Sequence, residues 1–305
     1  MAGAGIKIIN KRIRSVRATQ QITKAMKMVA ASKLRRAQAR LLSARPYAGK
    51  LSELLGHLAA SGLDGHPLFA ARPVKRRLYV VATSDKGLCG AYNMNVIKLA
   101  QAALDGARRD GMDVAVYAVG KKARDYFGKR GYTLYESHAD FGGDASADKA
   151  KRVGDRCETA FMTGEFDEVR LVYARFISTL TQRPTDQPLL PVAPPAAAPS
   201  AAPAKGAATA AVHATPAEAA NTDYIWEPGR EALLGALLPL YMRNRVYLAL
   251  CEAFASEHGA RMASMSAATE NAGELIDALT LRRNRERQAT ITQELSEIVG
   301  GANAL

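Results

Sequence analysis

Long stretches almost free of proline at both ends of the chain constrain the fold more than any other feature of the sequence. Between Ile6 and Leu58 the only proline is Pro46, and apolar residues recur at steps of three and four. This spacing places them on one face of a helix, and such a helix would be roughly 80 Å long. We expect Pro46 to bend or break it, because proline lacks the N–H and clashes with the preceding turn. The apolar positions are Ile6, Ile9, Ile13, Val16, Ile22, Met26, Val29, Leu34, Leu41, Leu51, Leu54 and Leu55.

The C-terminal stretch supplies a partner for this helix. From Tyr241 to Val299 there is no proline, and the apolar residues again follow a helical spacing. Two long helices from opposite ends of the chain, each with one apolar stripe, predict an antiparallel coiled coil. Its seam is expected to be soft and to contact other chains in part, since the polar residues Gln20, Thr23, Thr269 and Arg283 fall near it. The second stripe comprises Tyr247, Cys251, Phe254, Met262, Met265, Ala272, Ile276, Leu279, Ile291, Leu295 and Ile298.

Between the two helices the pattern changes to alternating strands and helices. Runs rich in β-branched and aromatic residues predict strands, and the segments between them predict helices, so we expect a small α/β domain with a mostly parallel sheet. The predicted strands are Arg77–Thr83, Asp113–Val119 and Glu168–Ile177, and the predicted helices are Asn95–Arg109, Lys121–Lys129 and Lys149–Met162.

The chain therefore divides into four parts. The N-terminal coil helix covers residues 1–58, the α/β domain 75–190 and the C-terminal coil helix 229–305. Residues 192–222 differ from all of these, because 15 of the 31 are alanine, 5 are proline and none is aromatic. Such a composition cannot bury a core, so we expect a flexible insert there.

Positive charge is concentrated in the first part of the chain. The net charge is +13, and residues 1–60 carry 13 Lys and Arg against the single acid Glu53. That segment should seek an acidic partner. No run of 18 apolar residues is present, which excludes a transmembrane helix. Three widely spaced cysteines argue for a reducing compartment and against a disulfide scaffold or a cysteine zinc site.

No motif indicates a catalytic centre, a cofactor or a nucleotide site. The sequence TSDKGLCGAYN at Thr83–Asn93 lacks both glycine-rich phosphate-binding patterns, and a tight turn that needs Gly87 and Gly90 explains it best. A second polar stretch could hold a divalent cation, but it misses the EF-hand spacing, and a solvated turn is the commoner structure for such a loop. Its candidate ligands are His138, Asp140, Asp144 and Asp148.

The basic N-terminal helix allows three functional interpretations. A mitochondrial transit peptide would be Arg-rich and poor in acids, but it would not need an apolar period that continues past residue 50. A nucleic-acid-binding helix would have this charge, yet Tyr47 is the only aromatic residue in the first 60. One strand of a coiled coil that faces an acidic protein uses both the stripe and the charge. A dinucleotide-dependent oxidoreductase is a further alternative, and its fingerprint is absent.

Four long motifs resemble the γ subunit of F-type ATP synthase. They are QQITKAMKMVAASKLRRAQ at Gln20–Gln38, SDKGLCGAYN at Ser84–Asn93, ASEHGARMASMSAATENA at Ala255–Ala272 and NRERQATITQELSEIVGGA at Asn284–Ala302. The resemblance covers the whole chain apart from Val192–Thr222. It implies a left-handed antiparallel coil with a Rossmann-like α/β domain at its foot. In that family the coil is the rotor shaft inside a ring of alternating α and β subunits, and the foot sits with ε on the membrane ring of c subunits.

The resemblance also implies roles for particular residues. Arg287 and Gln288 match a pair that hydrogen-bonds a loop of the β subunit. Met26 matches a shaft position that faces the acidic lever loop of β, with Lys24 and Lys27 beside it.

Three further elements of the family pattern concern coupling and the end of the shaft. Arg261 matches a position tied to coupling efficiency. The apolar end of the chain, with Ile298, Val299 and Leu305, should sit in the collar at the top of the ring. The chloroplast members carry a cysteine pair near the insert, and no cysteine lies between Cys157 and Cys251 here, so we expect no thiol switch and an insert that rotation does not require.

These implications define an expected function. The chain would couple hydrogen-ion transport through the c ring to ATP synthesis or hydrolysis in the β subunits, and would regulate ATPase activity and proton flow without carrying chemistry itself. Without a transit peptide it is expected at the cytoplasmic side of a bacterial inner membrane, bound there only through the c ring. We expect no cofactor, no metal and no nucleic acid.

Overall fold

A computed structural model describes residues 3–60, 66–139, 141–193 and 227–302. Within these ranges two very long helices flank an α/β domain. In chain order the elements are α1 (Gly3–Ala60), β1 (Arg76–Ala82), α2 (Tyr92–Arg109), β2 (Asp113–Val119), α3 (Lys121–Lys129), β3 (Leu134–His138), α4 (Ala147–Met162), β4 (Glu168–Phe176), β5 (Gln182–Leu190) and α5 (Arg230–Ala302), with a 3₁₀ turn at Pro67–Phe69.

The sheet has the strand order β3-β2-β1-β4-β5, and β5 alone runs antiparallel to its neighbour. The three predicted strands are present within one residue at each end, whereas β3 and β5 were not predicted. The β5 sequence is mostly polar and contains Pro184 and Pro188, which is typical of a loop. It forms a strand because it lies at the edge of the sheet, where prolines can be tolerated.

The coiled coil is confirmed, but its seam on α1 differs from the prediction. Ile22 and Val29 are 60% and 58% exposed, whereas Thr23 and Ala30 are buried. The reason is that polar residues occupy several seam positions, so the nearest apolar residues lie on the adjoining face. The α1 seam follows an unbroken heptad spacing through Ile9, Ile13, Val16, Gln20, Thr23, Lys27, Ala30, Leu34, Ala37 and Leu41.

Proline does not interrupt either long helix. Helix α1 continues through Pro46, and α5 begins at Arg230 and continues through Pro239. A proline inside a helix removes one backbone hydrogen bond and costs about 3 kcal/mol or more. The predicted break at Pro46 was therefore wrong, and the side chains of Leu41 and Leu51 on either side of it are buried. The predicted bend stays a prediction.

The sheet has a separate apolar core on each face. Helices α2 and α3 cover one face, where Val96, Leu104 and Phe127 are buried. Helix α4 covers the other face together with the lower parts of α1 and α5, including Leu55 and Leu238. We call this lower part, Leu41–Leu58 with Leu234–Phe254, the shaft base.

The first residue of the expected insert is packed in the folded domain. Val192 is 1% exposed, and its N–H donates to the carbonyl oxygen of Leu68 at 2.8 Å. Residues 194–222 of that insert, and Leu305, lie outside the described residues. Among the helices that the structure describes, none is long and apolar enough to cross a membrane.

Candidate functional site

The crevice in which doubly wound folds bind ligands is occupied by helix α5. In such folds the crevice lies at the carboxyl ends of the strands, where the strand order reverses, which here is between β1 and β4. The hydroxyl of Ser256 donates to the carbonyl oxygen of Ala174 in β4 at 2.9 Å. From α2, the Tyr92 hydroxyl donates to the carbonyl oxygen of Ala253 at 3.0 Å. The chain's own helix therefore takes the place of a ligand.

Arg261 joins α5 to the loop that follows β1. Its guanidinium donates to the carbonyl oxygen of Gly87 at 3.2 Å and to that of Lys86 at 3.2 Å. The same guanidinium forms an ion pair of 2.7 Å with Glu257, one turn earlier on α5. The residue to which the resemblance assigns a coupling role is thus a bridge between the helix and the α/β domain.

The neighbours of Arg261 are buried and titratable. His258 is 2% exposed, its Nε2 lies 2.8 Å from the carbonyl oxygen of Gly143, and its Nδ1 lies 3.3 Å from the Arg261 guanidinium. Burial lowers the pKa of His258 to about 4, so the ring is neutral at pH 7. Because a carbonyl can only accept, Nε2 carries the proton and Nδ1 accepts from Arg261. Burial raises the pKa of Glu257, and the charge of Arg261 opposes that rise.

The loop that sequence analysis considered for a divalent cation is instead held by cationic and imidazole side chains. Within the described residues no group of three or more His, Cys, Asp or Glu side chains could hold a metal ion, and Asp140 is outside them. Asp144 pairs with Arg40 of α1. The loop carbonyls accept hydrogen bonds in five further contacts, which are Lys149 to Phe141 at 2.6 Å, Lys149 to Asp144 at 3.0 Å, Lys33 to Gly142 at 3.4 Å, His258 to Gly143 at 2.8 Å and Arg40 to Ala145 at 3.0 Å.

The loop after β1 forms a tight turn, but only one of its two glycines has the backbone conformation that favours glycine. Gly90 has a φ of 57°, and Leu88 has a φ of 62°. Gly87 lies outside that conformational region and has open space around it, so its predicted requirement is not supported. A non-glycine residue in this region is uncommon, and the Leu88 side chain is 61% exposed.

The residues matched to the acidic lever lie together on the shaft. The ammonium of Lys27 donates to the hydroxyl of Ser266 on α5 at 2.9 Å, and Met26 is half-buried beside it. Lys24 is exposed and lines a groove together with Lys27 and Thr269. These side chains are available at the surface between the two helices.

The remaining candidates lie farther along α5, towards its C-terminal end. Arg287 and Gln288 are exposed and lie roughly 30 Å along the helix from Ser266, at 1.5 Å per residue. Ile298 and Val299 are 67% and 58% exposed. The candidate residues are therefore distributed along the shaft and do not form one cluster.

Sequence analysis assigned no role to the residues that fix α5 to the domain, namely Ser256, Glu257, His258 and Gly259. A signal was present, since three polar residues and a glycine interrupt the apolar stripe between Phe254 and Met262. Buried polar groups need partners, and a glycine inside a helix is destabilising by about 1 kcal/mol relative to alanine. Their partners, however, belong to distant strands and loops.

The α/β domain packs against one end of the two-helix shaft, and the described residues place no domain at its other end. This arrangement defines a stalk-like coiled-coil protein. Residues 5–305 match the family described as ATP synthase. The chain is 46% identical to the ATP synthase gamma chain of Moorella thermoacetica over 304 residues, which is 99% of each chain. It is 45% identical to that of Desulforamulus reducens, again over 99% of each chain. The chain belongs to the ATP synthase γ chain family.

Solved structures show the same architecture. A chain of the central stalk and c-ring of the Tetrahymena thermophila mitochondrial ATP synthase matches with a TM-score of 0.58 and 25% identity, over 81% of this chain and 99% of that one. A chain of the Euglena gracilis mitochondrial ATP synthase matches in fold with a TM-score of 0.66 and 20% identity, over 99% and 95% of the two chains.

Proposed function

We propose that this chain is the central-stalk rotor of an F-type ATP synthase and couples proton-driven rotation of the c ring to ATP synthesis or hydrolysis in the β subunits. The proposal rests on the asymmetry of the shaft. The α/β domain packs around the base of the shaft, and among the described residues the opposite end is the last part of α5 alone. A rotor needs such a geometry, because one end must be fixed to the driving ring while the other turns inside a stator.

The surface of the upper shaft suits contact with several partners in turn. Large apolar anchors form hot spots of about 2 kcal/mol or more, which would hold a rotor in one orientation. Small side chains on α5 and screened charges on α1 give weaker, more forgiving contacts. The small side chains of α5 are Ala263, Ser264, Ser266, Ala267 and Ala268.

The proposed partners are the alternating α and β subunits around the shaft, and ε and the c ring at its foot. Met26, Lys24 and Lys27 would face the acidic lever loop of β, where the positive charge of α1 provides complementary attraction. Arg287 and Gln288 would hydrogen-bond a second β loop. Binding to the c ring would hold the chain at the cytoplasmic side of the inner membrane, without a lipid contact of its own.

The apolar end of α5 would sit in the collar at the top of the ring. Ile298 and Val299 form an exposed apolar surface there, and exposed apolar patches of this kind mark interaction sites. Leu305 is assigned to the same collar from the family pattern alone.

The mechanism is a shift of populations. Each orientation of the shaft favours a different open or closed state in each β subunit, and thermodynamic coupling acts in both directions. Hydrolysis in β would turn the shaft one way, and the c ring would turn it the other way and force ATP release. The chain itself would be non-catalytic and would need no cofactor.

The decisive experiment mixes the purified full-length chain with the α and β subunits of the same organism and measures ATP hydrolysis. We expect a several-fold rise, with the chain co-eluting at one copy per hexamer. Absence of both association and stimulation, with the helices shown folded by circular dichroism, would refute the proposal. Duplex DNA binding that weakens steeply with salt would then support the nucleic-acid alternative.

A further inference from the structure

We propose that Ser256 and Gly259 are positioning residues that fix the rotation of α5 about its own axis, so that torque passes between the α/β domain and the shaft at the carboxyl edge of the sheet. The inference rests on the proposed rotor function. It concerns a joint within the chain rather than a contact with any other subunit.

Helix α5 crosses the carboxyl edge of the sheet from one face to the other. Phe254 and the residues before it pack in the core on the α4 side, whereas Ala260 packs against the core on the α2 side. The segment between them therefore lies in the crevice itself. Rotation of α5 here would disturb both cores at once.

Gly259 permits the closest approach of α5 to the sheet. A Cβ atom at this position would lie 3.3 Å from the carbonyl oxygen of Thr179 and 3.5 Å from the Phe176 ring. The carbonyl of Thr179 cannot easily move away, because it also accepts a hydrogen bond of 2.7 Å from the Gln182 amide. The helix backbone thus rests directly on the turn between β4 and β5.

Ser256 donates to a carbonyl near the end of β4. The pairing of β4 with β1 extends to Val81 and Val172, and Ala174 lies two residues farther along β4. The buried hydroxyl of Ser256 donates to the Ala174 carbonyl at 2.9 Å. The bond therefore attaches α5 to the part of β4 that extends beyond its pairing with β1.

The two residues act on the same side of the helix. Positions three apart face one direction, so Ser256 and Gly259 both point to the end of β4 and the turn after it. His258 lies two residues after Ser256 and therefore on the opposite side of the helix, where its Nε2 lies 2.8 Å from the carbonyl oxygen of Gly143. Contacts on two sides of the segment oppose its rotation in either direction.

The test measures torsional stiffness in the assembled complex. A probe is attached to the α/β domain, the α–β ring is fixed to a surface, and angular fluctuations are recorded without ATP. The variants are Ser256→Ala and Gly259→Ala. The matched control is Gly235→Ala, on the same helix, where a Cβ atom would meet nothing within 4 Å.

We expect each variant to increase the variance of the probe angle by up to about twofold, since Ser256→Ala removes one hydrogen bond and the added methyl group of Gly259→Ala would lie 3.3 Å from the carbonyl oxygen of Thr179. The Gly235→Ala complex should match the unsubstituted one. Unchanged variance in both variants, with normal assembly and normal hydrolysis, would overturn the inference. If Gly259→Ala fails to assemble, Ser256→Ala decides alone, because it only removes an oxygen atom.

The same apparatus separates this inference from the proposed function. Absence of ATP-driven rotation in the unsubstituted complex would refute the rotor function, and the joint would then have no torque to carry. Normal rotation with unchanged stiffness in the variants would refute only the positioning role of Ser256 and Gly259.

Discussion

The shaft base and the upper shaft are built from the same two helices but are stabilised differently. In the base, Leu55, Leu58 and Leu238 are completely buried against the sheet and α4. In the upper shaft, Ile9–Leu34 with Met265–Leu279, the apolar cluster consists of Ile9, Ile13 and Leu279 with Val16 and Ile276 beside it. The comparison shows that the domain, and not the coil, supplies most of the buried apolar surface.

Polar side chains fill the centre of the upper seam. The hydroxyls of Thr23 and Thr269 lie 2.9 Å apart, and each also lies within hydrogen-bond distance of a carbonyl oxygen of its own helix. Two hydroxyl protons can form only two of these three hydrogen bonds at one time. The base therefore buries more apolar side chains than the upper shaft, whose seam contains polar groups.

The largest expected loss of stability comes from a substitution in the shaft base. Leu238→Ala should lower the free energy of unfolding by about 2–5 kcal/mol, because it leaves a cavity in a fully buried site. Urea unfolding of the full chain measures this. Leu281→Ala is the control, since Leu281 is 55% exposed on the upper part of α5 and should change stability by less than about 0.5 kcal/mol. Equal losses at the two sites would contradict the comparison.

The second prediction concerns residues 256–261 of α5, which join the shaft base to the upper shaft. The free energy of unfolding should depend on pH through His258. Burial lowers the pKa of His258 from 6.5 to about 4, so the unfolded chain takes up this proton at a higher pH than the folded one. Its contribution is fully present above pH 6.5 and is lost as the pH falls towards 4, by up to about 3 kcal/mol.

Urea unfolding between pH 7 and pH 4 tests this sign. The His258→Gln variant should lose less stability on acidification than the unsubstituted chain. Curves that run parallel for the two proteins would show that burial of His258 does not destabilise the joint at low pH.

A smaller change in stability is expected for substitutions in the seam of the upper shaft. Replacing both Thr23 and Thr269 by valine removes the hydroxyl pair and keeps the shape, which should change stability by less than about 1 kcal/mol or increase it. The single variants serve as controls, because each leaves one hydroxyl facing a methyl group. A loss of several kcal/mol in the double variant, measured by thermal unfolding, would mean that the polar seam is a main source of stability.

The smallest effect on stability is expected near the C-terminal end of α5. The same substitution should have a large effect on function. Arg287→Ala should leave the unfolding free energy within about 0.5 kcal/mol, because the side chain is exposed. Coupled ATP synthesis in reconstituted vesicles should fall several-fold if the residue anchors a β loop. Arg285→Ala, also exposed, is the control. Normal synthesis with Arg287→Ala would remove this residue from the proposed interface.

Periodicity in the amino-acid sequence predicted the long helices, their antiparallel pairing and the α/β class of the middle domain. The sequence also located the excess charge on α1. These features depend on periodicity and composition, which neighbouring residues specify. The four family motifs added the candidate residues Met26, Arg261 and Arg287, but the motifs do not say what each side chain contacts in the folded chain.

Three features became visible only in the folded chain: which face of α1 forms the seam, that Gln182–Leu190 is a strand, and how the sheet holds α5. Thr23 is buried and Ile22 exposed because the opposing helix sets the register. Ser256 and Ala174 are 82 positions apart, and Arg261 and Gly87 are 174 apart. Local spacing carries no information about such pairs, because the strand end and the helix meet only after the sheet has formed and α5 has entered its crevice.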